Sequence, residues 1–342
     1  MSYPQPTNAA STGIKLDRDK LLHIARRSDA PGLIYLAQWT VGLSLTASLV
    51  WLSLGTAWVW PAMLIHGIML AVPAYSISHE TCHRTAFKTR WLNEFVTWIS
   101  HLIYLEEPLH RRYTHANHHS YTWYVGKDCQ MPFDTPVGFK GWFIEASGIG
   151  LMRFHIIVMA RLLTRQYSET MRAVAPPAKL SKMTRNAWVF CSVYAVIAGA
   201  IVAGISWPLW FLVLPRLLGM PVMMLFTIPQ HMEMQENSPS IIESTRSFST
   251  SRLGRFLYMN MNHHIGHHLY PRVPFYALPA LEEALKEQLP EPDPGFLRTN
   301  WELFVVTLRR SLGLSTKAPS IRQAPHMITE GGGFRPVARR TM

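Results

Sequence analysis

Residues 30–83 read APGLIYLAQWTVGLSLTASLVWLSLGTAWVWPAMLIHGIMLAVPAYSISHETCH, and this stretch decides the fold. No Asp, Glu, Lys or Arg occurs from Ala30 through His79. Such a run exceeds the roughly 18–20 apolar residues of one bilayer span and is long enough for two. The polar, flexible Ser53-Leu-Gly-Thr56 divides it, which predicts spans over residues 33–54 and 57–77. The stretch ends in His79-Glu-Thr-Cys-His83, whose two histidines lie four apart and so share one helix face. A second span running on for one or two turns carries both imidazoles just outside the bilayer.

The pattern recurs downstream. Residues 186–215 carry no charge, and after Arg216 none appears until Glu233. Ser206-Trp-Pro208 divides this part into spans over residues 187–207 and 208–230. The expected fold is an all-α integral membrane protein: four transmembrane helices as two tight hairpins, with a helical cytoplasmic cap. Trp51, Trp58 and Trp60 mark one hairpin tip, and Trp207 and Trp210 the other, as an aromatic belt does. The N-terminal tail, the segment between the hairpins and the C-terminal tail hold every Lys and Arg except Arg216. The positive-inside bias therefore places both termini in the cytoplasm. The net charge of +12 is mainly this topology signal, and it can also attract anionic lipid or an acidic partner. The basic residues are scattered and no nucleic-acid motif accompanies them, which argues against a nucleic-acid partner. The polar first 32 residues hold no cleavable signal, so residues 33–54 serve as the insertion signal. Cys82, Cys129 and Cys191 are odd in number and widely spaced, and imply no disulfide framework.

Eight of the 16 histidines fall in three five-residue windows: His79 and His83; His115, His118 and His119; His264, His267 and His268. Spacings of three and four put each set on one helix face. Eight imidazoles are too many for one tetrahedral zinc, which takes about four ligands, and suit two metals. Iron is favoured over zinc by that count and by all-histidine ligation. A zinc-dependent membrane hydrolase or receptor would need one metal and an activated water. A metal transporter would need ligands inside the spans, where only His66 lies.

The three windows, boxes one to three in chain order, must reach the same side of the membrane. Box one follows the second span, box three follows the fourth, and box two lies between the hairpins. Residues 142–163 are apolar but interrupted by Glu145, Arg153 and His155, and are read as an interfacial helix, since a fifth span would put box two on the far side. Trp91, Phe95, Trp98 and Leu102 recur at helical spacing, which predicts an amphipathic interfacial helix over residues 90–105. Residues 173–183, with Pro176-Pro177 and several cations, read as a linker, and residues 274–289 as a surface helix on the cap. The expected organisation is a tail over residues 1–32, a membrane domain over 33–290, and a partly disordered C-terminal segment over 291–342. The tail beyond Gly313 includes Gly331-Gly332-Gly333.

Metal-bound imidazoles need their second nitrogen anchored. Glu80, Glu106, Glu107, Asp128, Glu233 and Asn262 are the candidates by proximity in sequence. His263 lies four before His267, so spacing alone permits it as a ligand or as a neighbour of the ligands. His110 lies five before His115, roughly 140° round a helix, and reads as structural. Arg216, the one charge within a span, either meets a polar part of a substrate or snorkels. His66 either lines a substrate channel or bonds between helices. His23, His101, His155 and His326 read as surface or interface residues, and Cys82 as a small packed one.

Three stretches carry a family likeness: His79-Glu-Thr-Cys-His-Arg-Thr-Ala-Phe87, Arg112-Tyr-Thr-His-Ala-Asn-His-His-Ser-Tyr-Thr122 and Asn260-Met-Asn-His-His-Ile-Gly-His-His-Leu-Tyr-Pro271. Over roughly residues 30–290 the chain resembles the membrane fatty acid desaturase superfamily, in its bacterial stand-alone form without a fused cytochrome b5 domain. The resemblance implies a non-haem centre of two irons (Fe2+/Fe3+) held by histidines, and O2-dependent attack on an unactivated C–H bond of a fatty acyl lipid or thioester. It adds a ninth ligand, His231 in Pro229-Gln-His-Met-Glu233, and has an aromatic where His263 stands. Thr245-Arg246 matches a family word without an assigned role. Box two lacks the Glu-His-x-x-Gly-His-His form of alkane hydroxylases, which favours desaturation over the alternative on this scaffold, hydroxylation or ketolation of a lipid or other amphiphile. The chain has no flavin, haem or Cys-rich iron–sulfur motif, so electrons come from a ferredoxin or cytochrome b5-like donor with its reductase. The implied location is a bacterial inner membrane.

Overall fold

The computed structural model describes residues 13–132 and 135–315, and these are helical apart from turns and one isolated bridge between Phe248 and Asp293. Among the described residues the first elements are α1 (Arg18–Ile24) and two long helices, α2 (Ala30–Ser53) and α3 (Val59–Cys82). Then come α4 (Arg90–Tyr104), α5 (Pro108–Ser120), α6 (Phe139–Ala146), α7 (Ile149–Leu163) and α8 (Glu169–Val174). The third long helix is α9 (Pro177–Val202). The fourth, Leu209–Gln230, joins a π turn (Leu209–Val213), α10 (Leu214–Thr227) and a 3-10 turn (Ile228–Gln230). Short helices α11 (Ile241–Ser244), α12 (Arg252–Leu257), α13 (His264–Leu269) and α14 (Leu278–Leu285) precede α15 (Phe296–Ser311).

Among the described residues four helices, α2, α3, α9 and Leu209–Gln230, are long and apolar enough to cross a membrane. The pair α6–α7 would add a fifth only as a broken span. It bends by 65° at Ser147-Gly148, where Gly148 takes φ +77°. The third span begins ten residues before the expected start. Pro177 occupies the first turn, where a missing N–H costs nothing, so the Pro176-Pro177 pair opens a helix instead of marking a linker. The segment expected beyond residue 290 contains a helix. Within the C-terminal segment α15 packs on the core, with Asn300 Nδ2 donating to Leu225 O at 3.0 Å and Phe304 lying 5.1 Å from the Trp142 ring. The tail expected to be disordered beyond Gly313 runs, past Ser315, outside the described residues, as does His326.

The hub is α3. Of its apolar window 72% is buried, against 22% for α2 and 17% for α9. Trp39 Nε1 donates to Met69 O at 2.8 Å and pins α2 to α3. On the other side α10 meets α3 backbone to backbone: a Cβ on Gly67 would lie 1.8 Å from Pro215 O, and one on Gly219 would lie 2.1 Å from Gly67 O. Small residues at a crossing allow this approach. The expected tight pairing of the third and fourth spans is absent. A cavity of about 780 Å³ separates them, walled by Tyr194, Ile197 and Ile201 of α9 and by Leu212, Leu217 and Met220.

Helix α4 is amphipathic, with its polar side inward. Trp91, Phe95 and Ile99 are exposed, while Asn93, Thr97, Ser100 and His101 are buried against α3. His101 is therefore a core residue and not a surface one, with Nδ1 2.8 Å from Thr97 O, and burial pushes its pKa down to about 4. His155 is likewise buried, 3.6 Å from Glu106.

Candidate metal centre

Three helix ends and one turn meet beyond the spans. The last turn of α3 presents His79, and His83 is its C-cap. Helix α5 starts with Pro108 after Glu107, whose carboxylate accepts from His110 N at 2.5 Å, so its last turns carry His115, His118 and His119. Helix α13 supplies His264, His267 and His268. The 3-10 turn closing the fourth span delivers His231.

These nine imidazoles sort into two groups: His79, His83, His115, His119 and His267, and His118, His231, His264 and His268. Within each group the nearest nitrogens lie within 4.8 Å of one another. Box one enters only the first group, His231 only the second, and boxes two and three feed both.

Five ring anchors are visible. His118 Nδ1 lies 2.8 Å from Asp128, His231 Nδ1 donates to Ser244 O at 2.9 Å, and His115 Nδ1 meets Gln130 Oε1 at 3.1 Å. The Gln230 amide meets His264 Nδ1 at 3.0 Å. Thr122 Oγ1 donates to His118 O at 2.7 Å, leaving its oxygen to accept from His268 Nδ1, 3.1 Å away. Of the six candidates by sequence, only Asp128 anchors a ring. Glu80 accepts from Phe275 N, Glu233 pairs with Arg310, and Asn262 Nδ2 donates to Phe248 O. Glu106 faces Arg111 and His155, and Glu107 holds Asn186 and the α5 N-terminus.

Two arginines clamp the His231 turn. Arg246 donates to Pro229 O at 2.6 Å and Met232 O at 3.1 Å and pairs with Asp293 at 2.9 Å. Arg310 of α15 binds both Glu233 oxygens, at 2.8 and 2.6 Å. This gives Arg246 a structural role in this chain.

The remaining candidates fall outside the groups. His263 is bonded to Glu282 through Nδ1. His110 is buried beside Phe154, at 6.0 Å between ring centroids. His66 bonds Thr46 Oγ1 at 2.8 Å and Phe211 O at 3.1 Å, so it ties helices together and lines neither the chamber nor the apolar cavity. Arg216 borders the apolar cavity, but its guanidinium donates to Ile103 O and Tyr104 O, the last carbonyls of α4. All three cysteines are free.

The donor set fits a cation. With Nδ1 of His231 and of His268 donating, each Nε2 presents a lone pair. The Nε2 atoms of His231 and His268 approach His264 Nε2 at 3.1 and 3.0 Å, and His115 Nε2 meets those of His83 and His119 at 3.0 and 3.1 Å. Among the described residues neither nitrogen of His79 or His267 has a hydrogen-bond partner, although both residues are buried. Inward-facing, unprotonated nitrogens in such density repel unless a cation sits among them. Burial first, then neighbouring charge, holds His83, His115, His119, His264 and His268 well below their ordinary 6.5, and pushes His231 and His267 down to about 3. Neutral imidazole is the ligating form, and an all-nitrogen set suits iron, zinc, copper or nickel rather than magnesium or calcium.

A chamber of about 290 Å³ opens on both groups. Its walls include His79, His115, His118, His231 and His264, together with Tyr75, Tyr104 and Phe154. The chamber and the apolar cavity share Leu151 and His155. Beside them Glu106, which burial alone would raise, is drawn down to about 2 by Arg111 and His155.

A family model described as fatty acid desaturase matches residues 55–300, most of the chain and all nine histidines. No curated protein matches the chain.

Proposed function

The chain belongs to the fatty acid desaturase family, and on that premise we propose that it is an O2-dependent desaturase forming a double bond in a fatty acyl chain, held as a lipid or a thioester. The observation that carries this reading is the pair of buried all-histidine groups opening on one chamber. His79, His83, His115, His119 and His267 would hold one iron, and His118, His231, His264 and His268 the other. Bound iron supplies the reduction of O2 and the oxidising power to break an unactivated C–H bond.

The protein supplies the rest. Its anchored imidazoles fix the ligand geometry, and the burial of all nine rings but His83 keeps bulk water off the reacting carbons. The apolar cavity suits the methylene chain, which passes Leu151 and His155 so that two adjacent carbons lie in the chamber. Per turnover, two hydrogens leave the chain, O2 takes up two electrons and two protons from outside, and two waters form. The electrons come from a ferredoxin or cytochrome b5-like donor with its reductase, docking on the basic face. The charge asymmetry of the loops supports a cytoplasmic histidine face, and the resemblance to stand-alone desaturases supports a bacterial inner membrane.

Expression in a desaturase-deficient host, with lipid mass spectrometry and metal analysis, tests this. Acyl chains lacking two hydrogens, with about two irons per protein, are expected. Chains gaining one oxygen would instead make the enzyme a hydroxylase or ketolase, and a single zinc with O2-independent activity would overturn the redox reading. Leu151→Trp is expected to abolish turnover while leaving the iron in place.

A further inference from the structure

A third concavity, a groove of about 410 Å³, runs between the first turns of α2 and the short helix α12. It shares no lining residue with the chamber or the apolar cavity. One wall is the α2 face of Pro31, Ile34, Tyr35 and Gln38, spaced three and four apart. The other carries Arg252 and Arg255, three apart on α12 and both exposed, with the exposed Leu253 between them. Neither arginine has an ion-pair or side-chain hydrogen-bond partner among the described residues. The groove lies at the histidine end of the spans, where α2 begins and α3 ends.

Two further observations point to a ligand. Tyr35 is 96% buried between Phe256 and Phe275, with ring centroids 5.3 and 5.8 Å away, yet its hydroxyl has no hydrogen-bond partner among the described residues. The groove also lies on the turn leading into box three, where Met259 and Asn260 take φ +49° and +57°. Two successive non-glycine residues in the left-handed region are strained. Within the protein, Asn260 Nδ2 donating to Phe275 O at 3.1 Å helps hold this turn.

We propose that this groove binds one anionic membrane phospholipid. Guanidinium pairs recognise phosphate through parallel N–H donors, and basic residues at a membrane surface select anionic over zwitterionic lipid. The phosphate meets Arg252 and Arg255, the ester region passes over Phe256 towards the Tyr35 hydroxyl, and one acyl chain runs down α2 past Ile34. The bound lipid covers the strained turn from the outside and stabilises the fold there.

The test uses the full chain purified in mild detergent and reconstituted in nanodiscs of phosphatidylcholine, with or without phosphatidylglycerol. Native mass spectrometry is expected to retain one phosphatidylglycerol, and the thermal midpoint to rise by about 2 °C or more over phosphatidylcholine alone. Arg252→Gln with Arg255→Gln is expected to remove both effects, and Tyr35→Phe to weaken retention. Arg18→Gln with Lys20→Gln, which alters basic charge elsewhere, is expected to leave both effects in place. Equal midpoints of the unmodified protein in the two nanodiscs would overturn the proposal. So would lipid retention that survives the double arginine change, or that falls equally with the Arg18 and Lys20 pair.

Discussion

The four-histidine and five-histidine groups open on one chamber, yet their rings are held differently. In the first of these, every Nδ1 meets a partner: Asp128, Ser244 O, Gln230 and Thr122. In the five-histidine group His115 has Gln130, whereas His79 and His267 are oriented by packing, 4.8 Å apart between ring centroids. His83 is the least buried of the nine. The four-histidine group is held in direction at every ring before a metal arrives, and in tautomer at His118, His231 and His268, where Nδ1 donates; the other has one more nitrogen and fewer restraints. The pre-set group is then the one that tolerates least change, and the looser one is suited to altering its coordination during turnover.

Removing a ligand tests this most severely. His264→Ala leaves three nitrogens in the anchored group and also removes the ring that both His231 and His268 face. If two irons are held as proposed, bound iron is expected to fall to about one per chain, with activity down more than about a hundredfold. His83→Ala leaves four nitrogens in the other group and is expected to keep nearly all the iron. If metal analysis shows equal losses, the asymmetry between the groups is wrong.

Asp128→Asn comes next. Its carboxylate holds His118 Nδ1 and also accepts from the Trp123 and Gln130 backbone N–H groups, so it positions the ring and the loop after α5 together. Metal retention against a chelator is expected to drop about 10–100-fold, with the helical fold intact by circular dichroism.

A smaller effect appears in the metal-free protein as pH falls. His231 and His267, one from each group, are pushed down to about 3 from 6.5. Below the ordinary value the unfolded chain takes up protons that the folded chain refuses. Stability is therefore present above about pH 6.5 and is lost progressively towards pH 3. Thermal midpoints of chelator-treated protein are expected to fall between about pH 7.5 and 5.5. A flat profile would mean that these rings are hydrated rather than buried.

The contrast between the groups follows what sequence can and cannot reveal. The spans were legible because absence of charge is a local property, and the ligands because i, i+4 histidines are a local pattern. His231 carries no such pattern and was reached only through the family likeness. Gln130, Gln230, Thr122 and Ser244 had no signal at all, since neutral amides, hydroxyls and carbonyls are common and only the tertiary fold brings them to a ring. Asp128 was legible as a nearby carboxylate; the same logic also named Glu80, Glu233 and Asn262, which brace backbone or a distant arginine. The early start of α9 was hidden because Lys179, Lys182 and Arg185 break a charge-free window without breaking a helix. The inward polar side of α4 was hidden because spacing locates a stripe but not which side faces the core.

Gln130 supplies the finest test. It accepts from His115 Nδ1 at 3.1 Å and donates to Thr114 Oγ1 at 3.0 Å, so it ties one ring of the looser group to its own helix. A neutral amide holds an imidazole less strongly than a carboxylate does, and the group keeps five nitrogens whatever happens to this contact. Gln130→Ala is therefore expected to weaken metal retention by less than about tenfold, well short of Asp128→Asn. Gln130→Glu gives His115 the kind of partner His118 already has, and is expected to tighten retention. Chelator competition on the three variants side by side measures both. If Gln130→Ala proves as damaging as Asp128→Asn, the extra nitrogen provides no tolerance, and the five-histidine group is as rigidly specified as its neighbour.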